Sequence, residues 1–302
     1  MPKKIGFIGL GQMGKWVALN LRNKTDYDVL VYDLSPEAVA FVTDQGPTAA
    51  PSAAAAAAES ELVFLSLPST DIVEAAVFGK NGVAETAAAG TVVVDLGTTA
   101  YMATLDFSER LAATGVQFAD APVSGMEARA RDGELTIMFG GAPDVFEQLQ
   151  PALDAIGNLV LYMGGTGSGQ LTKLVNQLLF NISAAAVAEI LPMSIKLGLD
   201  PEKVVQVVNS GTGRSFASEF FAPRILEDRF CDGYPLSAAY KDMVSAAEIC
   251  ARNKIPLPLV HAATTTYQMA LAEGYGHEDK GAMIKVFERI LGVQFRKKGD
   301  QS

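Results

Sequence analysis

The sequence predicts an α/β domain over residues 1–163, built on a doubly wound and mostly parallel sheet, followed by an all-α domain over residues 164–302. Three observations predict it. An apolar strand pattern at the start of the chain runs straight into G-x-G-x-x-G. Strand and helix patterns then alternate as far as Met163, and beyond the turn glycines Gly164, Gly165, Gly167 and Gly169 only helical patterns remain.

Ile5, Phe7 and Ile8 suit a strand buried on both faces. Gly9, Gly11 and Gly14 follow, the first suited to a tight turn, the second to the approach of a phosphate, the third to close packing of a helix. The helix over 13–22 carries Trp16, Val17, Leu19 and Leu21 as its apolar positions and aims its unpaired first amides at that phosphate. A lone glycine pattern is weak evidence, but a second strand over 28–32 ends at Asp33, where a dinucleotide fold needs a carboxylate for a ribose hydroxyl. The residues therefore predict NAD, held by Gly9, Leu10, Gly11, Gln12, Met13, Gly14 and Asp33. Residues 9–15 also read G-x-x-x-x-G-K, yet Trp16 stands where a phosphate loop needs Ser or Thr for magnesium.

Further strands are expected at 62–67, 91–96, 117–119, 135–139 and 159–162, with helices at 36–44, 70–77, 101–114 and 143–153. The alanine tract 49–58 reads as one crossover helix, because alanine is the best helix former and Pro51 and Ser52 suit a helix start. A helix over 170–197 is apolar nearly all round, which marks a buried helix or a membrane span. Lys173, Asn176, Gln177, Asn181, Glu189 and Pro192 interrupt it too often for lipid, so it is expected at the centre of the second domain. Helices at 201–209, 216–227, 238–253, 257–273 and 280–291 complete that domain, and a polar tail over 296–302 is expected to fray.

Composition narrows the function. A formal charge of -10 and a pI of 4.8 argue against nucleic acid and anionic membranes as partners, and in favour of a small molecule. Cys231 and Cys250 form no disulfide framework and lack the spacing of a zinc site, so no metal is expected and both are read as buried apolar residues in a reducing compartment. Met1-Pro2-Lys3-Lys4 has the charge of a signal-peptide start, but the apolar run behind it breaks at once into glycines, and the chain is read as cytoplasmic.

A nicotinamide enzyme needs a group that moves the substrate's hydroxyl proton while hydride is transferred. His261 lies in an apolar helical run, His277 in a glycine-rich turn, and no tyrosine begins Tyr-x-x-x-Lys. Lys173 remains, in the first turns of the long helix, where burial and the positive end of the helix dipole both disfavour a cation. Two readings stay open from the residues alone: a tuned acid/base, or a lysine whose amine reaches water beside the glycine turn. Asn176 and Gln177 fall on the same side of the helix.

Five stretches in order carry a resemblance over nearly the whole chain: G-F-I-G-L-G-Q-M-G at 6–14, L-P-S at 67–69, D-A-P-V-S-G at 120–125, G-S-G-Q-L-T-K-L-V-N at 167–176 and Y-K-D at 240–242. The sequence resembles the β-hydroxyacid dehydrogenase family, which contains 3-hydroxyisobutyrate dehydrogenase, tartronate semialdehyde reductase and 2-(hydroxymethyl)glutarate dehydrogenase, with 6-phosphogluconate dehydrogenase as a larger relative. The resemblance implies a Rossmann domain, a long interdomain helix and a helical domain, with the active site in the cleft between them and a homodimer or homotetramer as the assembly. It implies Lys173 as catalytic acid/base, Ser124 and Gly125 as carboxylate ligands, Leu67, Pro68 and Thr98 along the cofactor, and Lys241 near the nicotinamide end. Arg214, in G-T-G-R-S, is a further candidate for an anion, or a surface arginine near a helix start.

This sequence departs from the family pattern at three places. Met126 replaces the second glycine of Ser-Gly-Gly, Gln177 replaces the second asparagine after the lysine, and Gly97 replaces the serine before Thr98. Met126, Asn176 and Gln177 thereby join the expected substrate residues. The expectation is NAD-dependent interconversion of a 3-hydroxy carboxylate and its semialdehyde, with NADP disfavoured by Asp33. Two alternatives stand beside it: an imine-reductase-like NADP enzyme, a group that resembles this fold but usually lacks the lysine, and a dinucleotide-binding protein without catalysis, which turnover would separate.

Overall fold

The structure, a computed structural model, describes residues 4–297; the expectations for the first three residues and for the tail beyond Lys297 lie outside the described residues. The chain divides into two compact units, the first running through Lys173 and the second starting at Leu174.

The first unit alternates strand and helix. Its elements are β1 (Lys4–Ile8), α1 (Gly14–Lys24), β2 (Asp28–Tyr32), α2 (Pro36–Thr43), β3 (Thr48–Ala49), α3 (Ala53–Ala58), β4 (Leu62–Leu65), α4 (Thr70–Phe78), β5 (Val92–Asp95), α5 (Tyr101–Ala112) and β6 (Gln117–Asp120). Then come β7 (Val123–Ser124), α6 (Met126–Asp132), β8 (Leu135–Gly140), α7 (Pro143–Ile156), β9 (Gly157–Gly164) and the start of α8 (Ser168–Lys196). The strands lie in the order β3-β2-β1-β4-β5-β6-β8-β7, with β9 paired to β8. The first six run parallel, while β8 is antiparallel to β6 and β7 and parallel to β9. This is the doubly wound Rossmann sheet, and the winding reverses between β1 and β4, which opens a ligand crevice at their carboxyl ends.

The strands stay central because both their faces are apolar. Leu62 and Phe64 of β4 join the core that includes α1 and α7, whereas Val63 and Leu65 face the core under α4 and α5. That two-sided burial is what a parallel sheet requires.

Two expectations change here, and two short elements add to them. The alanine tract is not one helix: Thr48 and Ala49 pair with β2 as a short strand, and Ser52 caps α3 by accepting from Ala55 N at 3.0 Å. A cap needs an extended residue before the first turn, so the helix starts late. The short strand β7 and helix α6, inside D-A-P-V-S-G and just after it, carry no periodic signal of their own. Cys231 is exposed, and only Cys250 is buried.

The second unit holds the rest of α8, then α9 (Pro201–Ser210), α10 (Phe216–Leu226), α11 (Leu236–Asn253), α12 (Pro258–Ala272) and α13 (Ile284–Leu291). The helix expected over 280–291 is broken by a 3-10 turn at Lys280–Met283 before α13 begins. Ala184, Ala188 and Leu191 of α8 pack with Phe221, Met243, Tyr267 and Met283. α8 is long and apolar enough to cross a membrane by length and composition. It is not buried all round as expected, because Val175, Leu179, Ile190 and Met193 are exposed. Their spacing of three, four and eleven places them in one stripe.

Candidate active site

The glycine loop leaves β1 through Gly9, whose φ of +97° requires glycine and whose added Cβ would lie 2.4 Å from Ser66 O. A Cβ on Gly14 would lie 2.0 Å from Gly9 O, so the start of α1 is pressed against the loop. Gly11 differs: a Cβ there would meet no protein atom within 4 Å. Loop and helix start thus form a cradle with free space at its middle glycine. Met13, which precedes α1, brings no side-chain cap to the helix amides. Asp33 stands at the mouth, one carboxylate oxygen accepting from Leu10 N at 2.6 Å and the other from Ser35 N at 2.8 Å. Gln12 is exposed within the loop, and Leu34, just past the acid, is 87% exposed. These residues fit a dinucleotide, whose pyrophosphate they would hold at Gly11 and the amides of α1.

Two further loops follow the neighbouring strands β4 and β5. Leu67 is half-buried and Pro68 exposed after β4, and Thr98 is half-buried after β5. The second loop is tightly held, because Asp95 accepts from Gly97 N at 2.8 Å and from Thr99 Oγ1 at 2.5 Å. Gln170, 2% exposed in the first turn of α8, donates through Nε2 to Gly97 O at 2.9 Å and accepts on Oε1 from Thr99 N at 3.2 Å. One side chain therefore clasps the Thr98 loop to the helix that carries Lys173.

Asp120, at the end of β6, fastens the same helix start, accepting from Gly167 N at 2.6 Å and from Gln170 N at 2.7 Å. Burial drives its carboxyl up to about 6, those amide bonds pull it back, and the neighbouring Asp95 charge adds a smaller upward push. Lys173 follows Gln170 by one turn. It is 8% exposed and its Nζ donates to Val123 O at 2.9 Å. The amine does not escape to water, and it stands at the residue before Ser124. Ser124 is held in turn by β8, where it pairs with Thr136, and it leads into Gly125 at φ 148°.

Met126 takes φ +61°, a left-handed conformation that costs a side-chain residue about 1–2 kcal/mol. Its side chain is exposed. Arg129 lies along Gly125 and donates to Asn158 Oδ1 at 3.0 Å.

In the second unit, Gln177 donates through Nε2 to the buried Asp242 at 3.2 Å and accepts from Asn176 Nδ2 at 3.4 Å. The Asp242 carboxylate accepts only, which turns the Gln177 amide group toward it and leaves Oε1 as the opposite end. Lys241 is half-buried on α11 beside Asp242. Arg214 is exposed, 3.7 Å from Glu219. Among the described residues no group of three or more His, Cys, Asp or Glu side chains is placed to hold a metal ion.

In the sequence, Asp120, Gln170 and Asp242 stand only as letters of motifs. Their work is tertiary, a carboxylate under backbone amides or an amide between two loops, and neither spacing nor periodicity signals it.

Two family models cover the chain: the NAD binding domain of 6-phosphogluconate dehydrogenase over residues 4–165, and the NAD-binding domain of NADP-dependent 3-hydroxyisobutyrate dehydrogenase over residues 167–287. The chain is 40% identical to 2-(hydroxymethyl)glutarate dehydrogenase of Eubacterium barkeri, over 96% of both chains. It is 32% identical to mitochondrial 3-hydroxyisobutyrate dehydrogenase of Bos taurus, over 93% of this chain and 85% of the relative. Among solved structures, 3-hydroxyisobutyrate dehydrogenase of Salmonella typhimurium superimposes with a TM-score of 0.84 at 28% identity, over 94% of this chain and 100% of the other. Psf3 in complex with NADP+ and 2-OPP superimposes with a TM-score of 0.79 at 25% identity, over 93% and 99%. With a Rossmann sheet, a glycine cradle and relatives that are dehydrogenases acting on CH–OH groups, this chain belongs to the β-hydroxyacid dehydrogenase family and is an NAD(P)-dependent oxidoreductase.

Proposed function

We propose that the chain interconverts a 3-hydroxy carboxylate and its semialdehyde with NAD, using Lys173 as the acid/base. The observation that carries the reading is the buried Lys173 amine, 2.9 Å from Val123 O and one residue from Ser124. That bond holds Nζ beside the turn whose hydroxyl and amides suit a carboxylate, so the proton-moving group and the anion ligands share one short segment. In the oxidation direction the hydroxyl proton passes to neutral Lys173 Nζ, the electrons of the O–H bond form C=O, and the hydrogen on the adjacent carbon departs as hydride with the electron pair of its C–H bond. The nicotinamide, when bound, supplies the hydride acceptor. In reduction, protonated Lys173 returns the proton.

Ser124 and Gly125 receive the carboxylate, and Met126, Asn176 and Gln177 shape the wall around the rest of the substrate. Gly9, Leu10, Gly11, Gln12, Met13 and Gly14 receive the pyrophosphate, Asp33 the ribose, and Leu67, Pro68, Thr98 and Lys241 the remainder of the cofactor. NAD is preferred because Asp33 repels a 2′-phosphate and neither Leu34 nor Ser35 offers a cation to attract one. The relatives' names support the substrate class: the 40% identical relative acts on 2-(hydroxymethyl)glutarate by name. A homo-oligomer is part of the same proposal, supported by the exposed apolar stripe of α8, which a second copy would cover. A panel of hydroxy acids and semialdehydes, assayed with NAD and NADP, tests the reaction, and light scattering of the purified chain tests the assembly. Absence of turnover with every member of the panel would overturn the reaction.

A further inference from the structure

The turn that receives the substrate in this reading leads directly into α6, and α6 is strapped along α1. Asn20 of α1 donates to Ala130 O at 2.9 Å and Arg131 O at 3.2 Å, and Lys24 donates to Asp132 O at 3.0 Å, which fastens the far end. The near end is fastened by Glu127, whose Oε1 accepts from Trp16 Nε1 at 2.8 Å and lies 2.9 Å from Lys15 Nζ. The Lys15 amine also stands 5.2 Å from the centre of the Trp16 ring, and Trp16 meets Phe41 edge-on at 5.6 Å. Both partners of Glu127 thus sit in the first turn of the helix that opens at the glycine cradle. Between Glu127 and Ser124 lie two successive residues with positive φ, Gly125 and the side-chain-bearing Met126. Such a conformation is unfavourable for a methionine by itself and persists where the surrounding structure holds it.

We propose that Glu127 is a positioning residue that ties the Ser124–Gly125–Met126 turn to the dinucleotide-receiving helix, so that affinity for the substrate is set partly from the cofactor cradle. The role rests on the assignment of that turn to the substrate. The Trp16 hydrogen bond first, and Lys15 next, hold the Glu127 carboxyl down to about 2, with the Gln12 amide adding a smaller pull, so it stays ionised through the working range. An ionised Glu127 also engages Lys15, in the first turn of α1, at 2.9 Å. Removing it therefore has opposite effects on the two ligands: the substrate turn loosens, while Lys15 becomes available to a pyrophosphate.

The test uses the full chain with Glu127→Ala and Glu127→Gln, which abolish or keep the acceptor for Trp16. Trp16 is the only tryptophan, so its emission reports directly on the contact. Amide hydrogen exchange over residues 123–131 needs no substrate and should quicken about tenfold or more in the alanine variant, with the glutamine variant between it and wild type. Under turnover, the alanine variant should raise KM for the hydroxy acid at least about fivefold and keep kcat within about twofold, with dinucleotide affinity unchanged or tighter. Unchanged exchange would overturn the proposal, as would unchanged KM. So would a parallel loss of dinucleotide affinity and melting temperature, which is what a merely structural side chain would give. If wild type turned over none of the hydroxy acids, the functional reading would fail, while exchange and Trp16 emission would still decide whether Glu127 holds the turn.

Discussion

Asp95 and Asp120 are register partners on the parallel strands β5 and β6, two fully buried carboxylates side by side. Asp95 holds the Thr98 loop and Asp120 holds the first turn of α8, so the pair fastens both structures that flank Lys173. Burial is the larger cost and raises the Asp120 carboxyl to about 6, with the neighbouring Asp95 charge adding a smaller upward push.

That shift predicts opposite pH trends for stability and activity. Because the folded value lies above the ordinary 3.8, the native state binds a proton that the unfolded chain does not. The stabilising contribution is fully present below 3.8 and is lost as pH rises through about 6. Between pH 7 and 5 wild type should gain about 1 kcal/mol relative to Asp120→Asn in urea unfolding. Activity should move the other way, since a protonated oxygen accepts poorly from Gly167 N or Gln170 N and the helix start loosens. Wild-type kcat should fall below pH 6, and the asparagine variant should lack that limb. A limb retained in Asp120→Asn would assign it to another group.

Replacing Lys173 separates catalysis from binding. Lys173→Ala should lose roughly 100- to 10,000-fold in kcat, the usual reach of acid/base catalysis. Dinucleotide affinity should be kept, because the amine is bonded to Val123 O and not to the glycine cradle. Lys173→Met, which fills the buried space without a proton carrier, guards against a folding artefact. Near-wild-type turnover in either variant would remove Lys173 from the mechanism.

The proposed preference for NAD places cofactor choice on Asp33. NAD should be used at least about tenfold more efficiently than NADP, equivalent to about 1.4 kcal/mol. Asp33→Asn should narrow that ratio, since it removes the charge while keeping an acceptor for Leu10 N. Equal or better efficiency with NADP in wild type would defeat the assignment.

The strands and the glycine cradle are legible in the sequence because each depends on near neighbours: Val92, Val93 and Val94 form a buried strand by pattern alone, and Gly9 and Gly14 act within one turn. What stays hidden depends on residues far apart in the chain. Trp16 reads as one more apolar helix position, yet its indole nitrogen serves Glu127, 111 residues on. Gln170 reads as part of a motif, yet it clasps a loop 73 residues back. The α8 stripe is hidden for a different reason: an all-apolar helix gives no phase, so pattern cannot say which side the domain leaves bare.

On the proposed reading the substrate should carry a carboxylate beside the carbon that bears the hydroxymethyl or aldehyde group, because Ser124 is held by β8 and Lys173 by Val123 O. An uncharged analogue would leave those donors unpaired, at roughly 1–3 kcal/mol, so the methyl ester of the best acid should lose at least about tenfold in kcat/KM. Simple 3-hydroxyisobutyrate should not be the favourite. Met126 occupies a left-handed position where glycine would be unstrained, and Gln177, pinned by Asp242, reaches one methylene further than asparagine. The stretch A-M-I-K-V-F-E at 282–288 resembles the 2-(hydroxymethyl)glutarate member of the family, whose substrate carries a second acid, and Arg129 is the first candidate to meet it. Arg214 is the weaker one, being exposed beside Glu219. Kinetics with 3-hydroxyisobutyrate, 2-(hydroxymethyl)glutarate and tartronate semialdehyde should rank the diacid first, and Arg129→Ala should raise its KM without changing that of the monoacids. Met126→Gly combined with Gln177→Asn should shift preference toward 3-hydroxyisobutyrate. An ester used as well as its acid would defeat the carboxylate requirement, and 3-hydroxyisobutyrate as the clear favourite of wild type would defeat the role given to Met126 and Gln177.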